Sequence, residues 1–176
     1  MTEIQKYRVI TDIQDMQVRL YQACVLAEIT MTGEPSRVGT MAFGPLVGYI
    51  SKNDIAMTSP VLQQAVPVDQ AGISSQWNVS FVMPAGTDIS DLPLPSDTRV
   101  SLREIPEQLA AAITWSGSWK YSEVEKRIGH LRNSIERNGY VAVGEPRWAR
   151  YDPPWKPWFA RRNEVIIPIA PISLEE

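Results

Sequence analysis

Residues 151–169 bring aromatic and basic side chains together at close spacing. Proline lacks a backbone N–H and fixes φ, so the prolines at positions 153, 154 and 157 exclude a helix here. The first part is therefore an irregular loop with three aromatic residues and then two arginines: Trp155, Trp158, Phe159, Arg161 and Arg162. Broad apolar side chains beside two cations suit a flat ligand with acid groups at its edge. The alternative is a loop whose tryptophans cover the core while its arginines face solvent.

The composition is that of one ordinary globular domain. The 176 residues, 44% apolar and 21% charged, suffice for one buried core and are few for two. No apolar run approaches the roughly 20 residues of a membrane-spanning helix, and the N-terminus lacks the features of a secretory signal. The net charge of −3 argues against nucleic acid as a partner. With a lone cysteine, Cys24, we expect a cytoplasmic protein without an internal disulfide.

Residues typical of enzymes and metal sites are sparse. The sequence has no glycine-rich phosphate loop and no second histidine for a catalytic relay. The single histidine, His130, shares a helix face with Arg127 and Arg137, which favours a solvent-exposed role over an axial haem ligand. Cys24 lies in a predicted strand and is interpreted as a core residue. We therefore predict no metal ligand and no catalytic residue, and we favour a binding protein over an enzyme.

The chain contains an internal repeat. The run at residues 27–33 (AEITMTG) returns 84 positions later at residues 111–117 (AAITWSG), and Arg19 and Arg103 keep the same spacing. Several weak matches at one spacing favour an ancient duplication. We predict a single domain spanning residues 1–176, built from repeats at about 16–84 and 100–169.

Each repeat parses as strands around one amphipathic helix. Apolar residues recur every three to four positions in residues 37–50 and 122–138, which predicts two helices. Pro45 is expected to kink or split the first helix, and Ser122 with Glu125 resembles a capping box at the start of the second. Gly139 is a predicted helix stop. The fold class is therefore α+β, with each repeat broadly β-α-β-β.

Several motifs resemble the SOUL/haem-binding protein family. They are residues 55–61 (IAMTSPV), 81–84 (FVMP) and 161–165 (RRNEV), together with the helix stretch 43–50 (FGPLVGYI). The similarity extends from about residue 7 to residue 169. It implies a distorted β-barrel of two βαββ-type repeats with two amphipathic helices packed on the sheet, and reversible binding of haem, protoporphyrin or another tetrapyrrole.

The resemblance also implies a ligand groove between the first helix and the loop at residues 151–162. Three residues of the helix, Phe43, Leu46 and Tyr49, are expected on one wall, and Trp155, Trp158 and Phe159 on the other. Arginine suits a porphyrin propionate because its planar fork can make two parallel hydrogen bonds to a carboxylate. Neighbouring residues on a strand point to opposite faces, so one of Arg161 and Arg162 is expected to reach the ligand. The other would pair with Glu164 or face solvent.

The sequence is compatible with three functions. The first is a non-catalytic tetrapyrrole carrier or buffer in the cytoplasm, with no nucleic-acid or membrane partner. The second is a small-molecule effector-binding module that resembles the gyrase-inhibitor-like domains, in which a buried acid such as Glu164 would hold a lipophilic cation. The third is an enzyme that uses the same cavity, and fold analogy alone supports it. The sequence does not indicate a protein partner.

Overall fold

The computed structural model describes residues 2–67 and 76–173 and contains twelve strands and two α-helices. In chain order they are β1 (Glu3–Ile4), β2 (Tyr7–Ile13), β3 (Met16–Tyr21), β4 (Cys24–Thr32), α1 (Pro35–Lys52), β5 (Thr58–Ser59), β6 (Val61–Ala65), β7 (Gln76–Val82), β8 (Val100–Ile105), β9 (Gln108–Ser116), α2 (Tyr121–Arg137), β10 (Tyr140–Ala142), β11 (Arg147–Arg150) and β12 (Arg162–Pro171). No helix of the described residues combines the length and apolarity needed to cross a membrane.

One antiparallel sheet organises the molecule. Its strand order is β2-β3-β9-β12-β11-β6-β7-β4-β8, with β10 added beside β12, while β1 and β5 form a separate parallel pair. Each repeat contributes one strand to the other half of the sheet. Strand β3 of the first repeat pairs with β9 of the second, and β8 of the second pairs with β4 of the first. The central contact between the halves is the antiparallel pair of β6 and β11.

The strand boundaries follow the repeat. The bounds of β3 and β4 each recur 84 positions later in β8 and β9, whereas β6 and β7 begin 86 positions before β11 and β12. The offset between the two repeats therefore increases by two residues just before the helices. The predicted α+β class, with two repeats and two helices on one curled sheet, is confirmed. The sheet is a half-barrel that ends at β2 and β8 in the described part of the chain.

The helices cover one face of the sheet. Helix α1 packs on β4 and β7, and α2 packs on β9, β10 and β12. Their apolar stripes bury Val38, Ala42 and Leu46 in one core, and Val124 and Leu131 in the other. A third apolar cluster, which includes Leu26, Leu62 and Ile166, lies on the opposite face.

Two details of the helices differ from the prediction. Helix α1 remains one element through Pro45, so the predicted split does not occur. Helix α2 begins at Tyr121 with Lys120 at the N-cap and no side-chain cap, so the predicted Ser122 capping box is wrong. Gly139 follows the helix with φ of 80°, a conformation that favours glycine, so the predicted stop is confirmed.

Strand β11 presents one arginine to each face of the sheet. Side chains alternate along a strand, so Trp148 and Arg150 point to the helix-covered face while Arg147 and Ala149 point to the other. The packing agrees, because Trp148 belongs to the α2 core and Ala149 to the cluster on the opposite face. This short strand therefore contributes a guanidinium to two separate cavities.

Candidate functional site

A groove with a cavity volume of about 400 Å³ opens on the helix-covered side of the molecule, a size typical of small-molecule sites. Its walls come from α1, from the segment around β5 and β6, from the β9–α2 connection and from residues 151–155. The lining residues are Thr2, Gly39, Thr40, Phe43, Met57, Thr58, Ser59, Val61, Trp119, Arg150, Tyr151, Asp152, Pro153, Pro154 and Trp155.

Hydrogen bonds fix the loop at residues 151–162, which we call the tryptophan loop. The carboxylate of Asp152 accepts a hydrogen bond from the backbone N–H of Arg162 at 2.6 Å and another from Lys156 Nζ at 2.9 Å. Burial raises the pKa of Asp152, but these two donors outweigh that effect and leave the pKa below its usual value. Asp152 therefore stays ionised and holds the two ends of the loop together.

The predicted apolar residues of the site separate into three groups. Phe43 of α1 and Trp155 of the tryptophan loop both line the groove. Trp158 and Phe159 lie on a short 3-10 turn, exposed and packed edge to face against each other, outside the groove lining. Leu46 and Tyr49 are buried beneath α1 in its core, because they lie on the face of the helix that packs on the sheet.

The two predicted arginines are both engaged within the protein. Arg161 donates from Nε to the Lys156 carbonyl at 2.9 Å and from Nη2 to the Pro154 carbonyl at 2.6 Å, so it supports the tryptophan loop. Arg162 points to the other face of the sheet, where its Nη2 lies 3.0 Å from Glu164 Oε2. The alternation expected for neighbouring strand residues explains this divergence.

A different arginine lines the groove. Arg150 is 8% exposed, and its guanidinium lies 4.5 Å from the ring centroid of Trp148 and 5.5 Å from that of Trp119. Its Nη2 donates to Gln63 Oε1 at 3.0 Å, and no ion pair to it occurs in the described part of the chain. Burial lowers its pKa to about 10, so it remains a cation at neutral pH.

Gly39 of α1 makes room for this guanidinium. A Cβ at position 39 would lie 2.2 Å from Arg150 Nη2 and 2.6 Å from Nη1. Any other residue would therefore force the arginine head to move. The sequence of the helix is thus matched to a cation that lies directly against its backbone.

Two further groups make the groove suitable for a flat ligand. The indole Nε1 of Trp119 is buried and has no hydrogen-bond partner within residues 2–67 and 76–173, although buried donors are normally paired. Met57 contributes a polarisable thioether to the lining. Together with Phe43 and Trp155, these residues offer apolar surface around an uncompensated cation. Such a lining suits a flat ligand with an acid group at its edge.

The sequence held a signal for Arg150 that the predicted site did not use. Shifted by 86 positions, Arg147 and Arg150 of β11 fall on Val61 and Gln64 of β6. The two arginines are thus basic substitutions in one copy of the repeat. Gly39 carried no comparable signal, because its role depends on a neighbour more than 100 positions away.

The buried acid considered at the sequence level is fully neutralised. Glu164 is completely buried and receives hydrogen bonds from Arg19 at 2.9 and 2.7 Å, from Arg162 and from two hydroxyls, those of Tyr151 and Thr114. Burial raises its pKa, but Arg19 and the other donors lower it to about 2. Such a carboxylate is not available as a base or as the partner of a ligand cation.

The groove lining contains no histidine. His130 is exposed on α2 and is not part of the groove. In the described residues, no group of three His, Cys, Asp or Glu side chains could hold a metal ion. Cys24 is half-buried on the opposite face, and burial raises the pKa of its thiol.

A curled antiparallel sheet with two helices on one face and a groove beside the first helix defines an α+β half-barrel class of fold. The chain matches the SOUL heme-binding protein family over residues 2–168 and belongs to that family. No curated protein sequence shows significant similarity to it.

Solved structures share the fold at low sequence identity. The C-terminal domain of EcmrR superposes with a TM-score of 0.72 at 13% identity, over 94% of this chain and 99% of that one. A hydrolase from Listeria innocua gives 0.62 at 11% identity, over 92% and 94%. SAV2435 bound to tetraphenylphosphonium gives 0.53 at 9% identity, over 89% and 94%. At these identities the similarity establishes the fold alone.

Proposed function

We propose that this protein binds haem or another tetrapyrrole reversibly in the groove between α1 and the tryptophan loop, without catalysing a reaction. Membership of the SOUL heme-binding family supports the class of ligand. The lining supports the location, since Phe43 and Trp155 provide apolar walls for a flat ring. Burial of apolar surface contributes roughly 25 cal/mol per Å², which favours a plate-shaped ligand over a small polar one.

The observation that carries the proposal is the unpaired guanidinium of Arg150. A buried cation without an acidic partner is unfavourable unless something supplies the opposite charge. A propionate at the edge of a tetrapyrrole would do so through two parallel hydrogen bonds. In this proposal Arg150 takes the role that the sequence suggested for Arg161 or Arg162.

Ring and acid contacts, more than iron ligation, account for retention of the ligand. The iron of haem would accept a protein ligand, for which the lining offers the thioether of Met57 and no histidine. Arg150 and the aromatic walls act on the porphyrin whether or not iron is present. We therefore expect metal-free protoporphyrin to bind about as well as haemin.

The lipophilic-cation alternative is less consistent with the charges. It needs a free buried acid, and Glu164 already receives hydrogen bonds from Arg19 and Arg162. The groove itself presents Arg150 and the engaged Asp152. A bound organic cation would therefore meet repulsion from Arg150, while the carboxylate of Asp152 is already engaged by Lys156 and by the backbone N–H of Arg162.

Titration with haemin and with protoporphyrin tests the proposal. The wild-type protein should give a saturable change in the Soret band with both ligands. Arg150→Leu should weaken binding by roughly tenfold or more, because a hydrogen bond to a charged group contributes about 1.5–3 kcal/mol. Leucine is used because methionine could itself bind iron.

The matched control is Arg137→Leu, which removes the same charge from an exposed arginine of α2. Its affinity for both ligands should equal that of the wild type. An absence of saturable binding, equal losses in the two variants, or tighter binding of tetraphenylphosphonium than of either porphyrin would each contradict the proposal.

A further inference from the structure

The face of the sheet away from the helices contains a second cavity, of about 210 Å³. Arg147 of β11 and Arg103 of β8 both line it, together with Gln5, Cys24, Gln108 and Tyr21. It is separated from the groove by the sheet, because Arg147 and Arg150 point in opposite directions from the same strand. Arg103 is paired with Glu28 at 2.8 Å, so its charge is compensated.

The positive charge of Arg147 has no ion-pair partner in the described part of the chain. The side chain is set deeply in the protein but keeps part of its surface open, and its Nη1 donates to Gln108 Oε1 at 2.8 Å. Its Nε is buried and has no hydrogen-bond partner among the residues that the structure describes. Burial and the nearby charge of Arg103 lower the pKa of Arg147, which Tyr21 and Cys24 only partly offset. Glu145 is the acid among the lining residues; it is exposed, and the described residues show no ion pair between it and Arg147.

A second residue of the cavity lining, Gln5, also has an unpaired polar atom in the described part of the chain. Gln5 Oε1 is buried without a donor, while its Nε2 lies 3.8 Å from Cys24 Sγ. Buried polar atoms are normally hydrogen-bonded, so these two orphans leave a donor and an acceptor without partners on residues that line one cavity. One orphan is a cationic donor and the other is a neutral acceptor.

We propose that this cavity binds a small hydroxycarboxylate, with its carboxylate on Arg147 and its hydroxyl donating to Gln5. The Nη1 group of Arg147 is taken by Gln108, which leaves the edge formed by Nε and Nη2 for a carboxylate in a two-bond arrangement. A hydroxyl supplies the donor that Gln5 Oε1 lacks. The volume admits a ligand of a few carbon atoms and excludes a tetrapyrrole.

Malate and succinate are matched probes, since they differ by one hydroxyl. In isothermal titration, the wild-type protein should bind malate saturably and succinate several-fold more weakly. Arg147→Leu should lower the affinity for malate by about tenfold or more. Gln5→Leu should remove the preference for malate while leaving succinate binding unchanged. Chemical shift changes of backbone amides should centre on residues 143–147.

Arg150→Leu is the control that separates the two sites, and malate binding to it should equal that of the wild type. Loss of malate binding in Arg150→Leu would place the anion in the groove and overturn the proposal. Equal affinity for malate and succinate would overturn the role of Gln5. Tighter binding of inorganic phosphate than of malate would overturn the assignment of a hydroxycarboxylate. An absence of saturable binding would overturn the cavity as a ligand site.

Discussion

The protein contains two pairs of arginines with opposite surroundings. Arg19 and Arg103 occupy equivalent positions of the two repeats, and each binds a carboxylate, that of Glu164 or Glu28. Arg147 and Arg150 lie on one strand, have no basic counterpart in the first repeat and form no ion pair in the described part of the chain. The first pair follows the symmetry of the fold, whereas the second pair departs from it.

The difference distinguishes arginines whose charge stabilises the fold from arginines whose charge is available to a ligand. A buried ion pair leaves no charge for a ligand, and removing one partner strands the other. A buried arginine without an acid contributes little to folding, because its desolvation is not offset by an attraction. Its contribution arises when an anion arrives. The comparison therefore predicts that the two kinds of arginine respond in opposite ways to substitution.

The largest effect is expected from breaking the Arg19–Glu164 ion pair, which should lower the stability of the whole protein. Glu164→Leu leaves Arg19 buried without its carboxylate and should lower the free energy of unfolding by about 3–5 kcal/mol. The double variant Arg19→Leu/Glu164→Leu should recover much of this loss, since it removes both charges. Urea unfolding followed by tryptophan fluorescence measures both values. A single-variant loss below about 1 kcal/mol would contradict a structural role for the pair.

The same ion pair should make the stability of the protein depend on pH. The pKa of Glu164 is lowered from 4.5 to about 2, so the folded state prefers the ionised form. Its contribution is fully present above pH 4.5 and is lost as the pH falls toward about 2. The contribution is on the order of 3 kcal/mol. The difference in unfolding free energy between wild type and Glu164→Gln should therefore shrink over this range, and a constant difference would be inconsistent with the lowered pKa.

The sequence predicted the architecture, whereas the arrangement of the candidate site could not be read from it. The repeat at residues 27–33 and 111–117 and the apolar stripes of the helices record local patterns, and these determine the strands, the helices and the fold class. The site depends on long-range geometry. Leu46 and Tyr49 carry the same apolar signal as Phe43, and only the packing of α1 decides which of them lies in the core. Arg150 lies against Gly39 because β11 and α1 meet in three dimensions, and periodicity does not encode that contact.

The unpaired arginine should show the opposite behaviour to Arg19. Arg150→Leu removes a desolvated charge and strands only the neutral Gln63 oxygen, so the free energy of unfolding should stay within about 1 kcal/mol of wild type. The affinity for haemin should nevertheless fall, as stated above. Urea unfolding of the ligand-free variant gives the first quantity. A loss of several kcal/mol would mean that Arg150 supports the fold and would remove the contrast with Arg19.

A smaller effect is expected at the helix glycines. Gly39→Ala should displace the Arg150 guanidinium, because the added Cβ would lie within 2.2 Å of Nη2, and should weaken protoporphyrin binding several-fold. Gly48→Ala on the same helix meets no atom within 4 Å and should stabilise the protein by up to about 1 kcal/mol without changing affinity. Equal affinities in the two variants would show that the position of the arginine head does not matter for the ligand.

The smallest effect separates the tryptophans of one loop. Trp155 is 83% exposed but lines the groove, whereas Trp158 is 61% exposed and packs on Phe159 outside the groove lining. Aromatic contacts contribute about 0.5–1.5 kcal/mol, so Trp155→Ala should weaken protoporphyrin binding by roughly two- to tenfold. Trp158→Ala should leave the affinity unchanged, and neither change should alter the urea midpoint, since both side chains are exposed. If Trp158→Ala had the larger effect, the ligand would lie farther along the tryptophan loop than Arg150 can reach, and the binding role assigned to the unpaired arginine would fail with it.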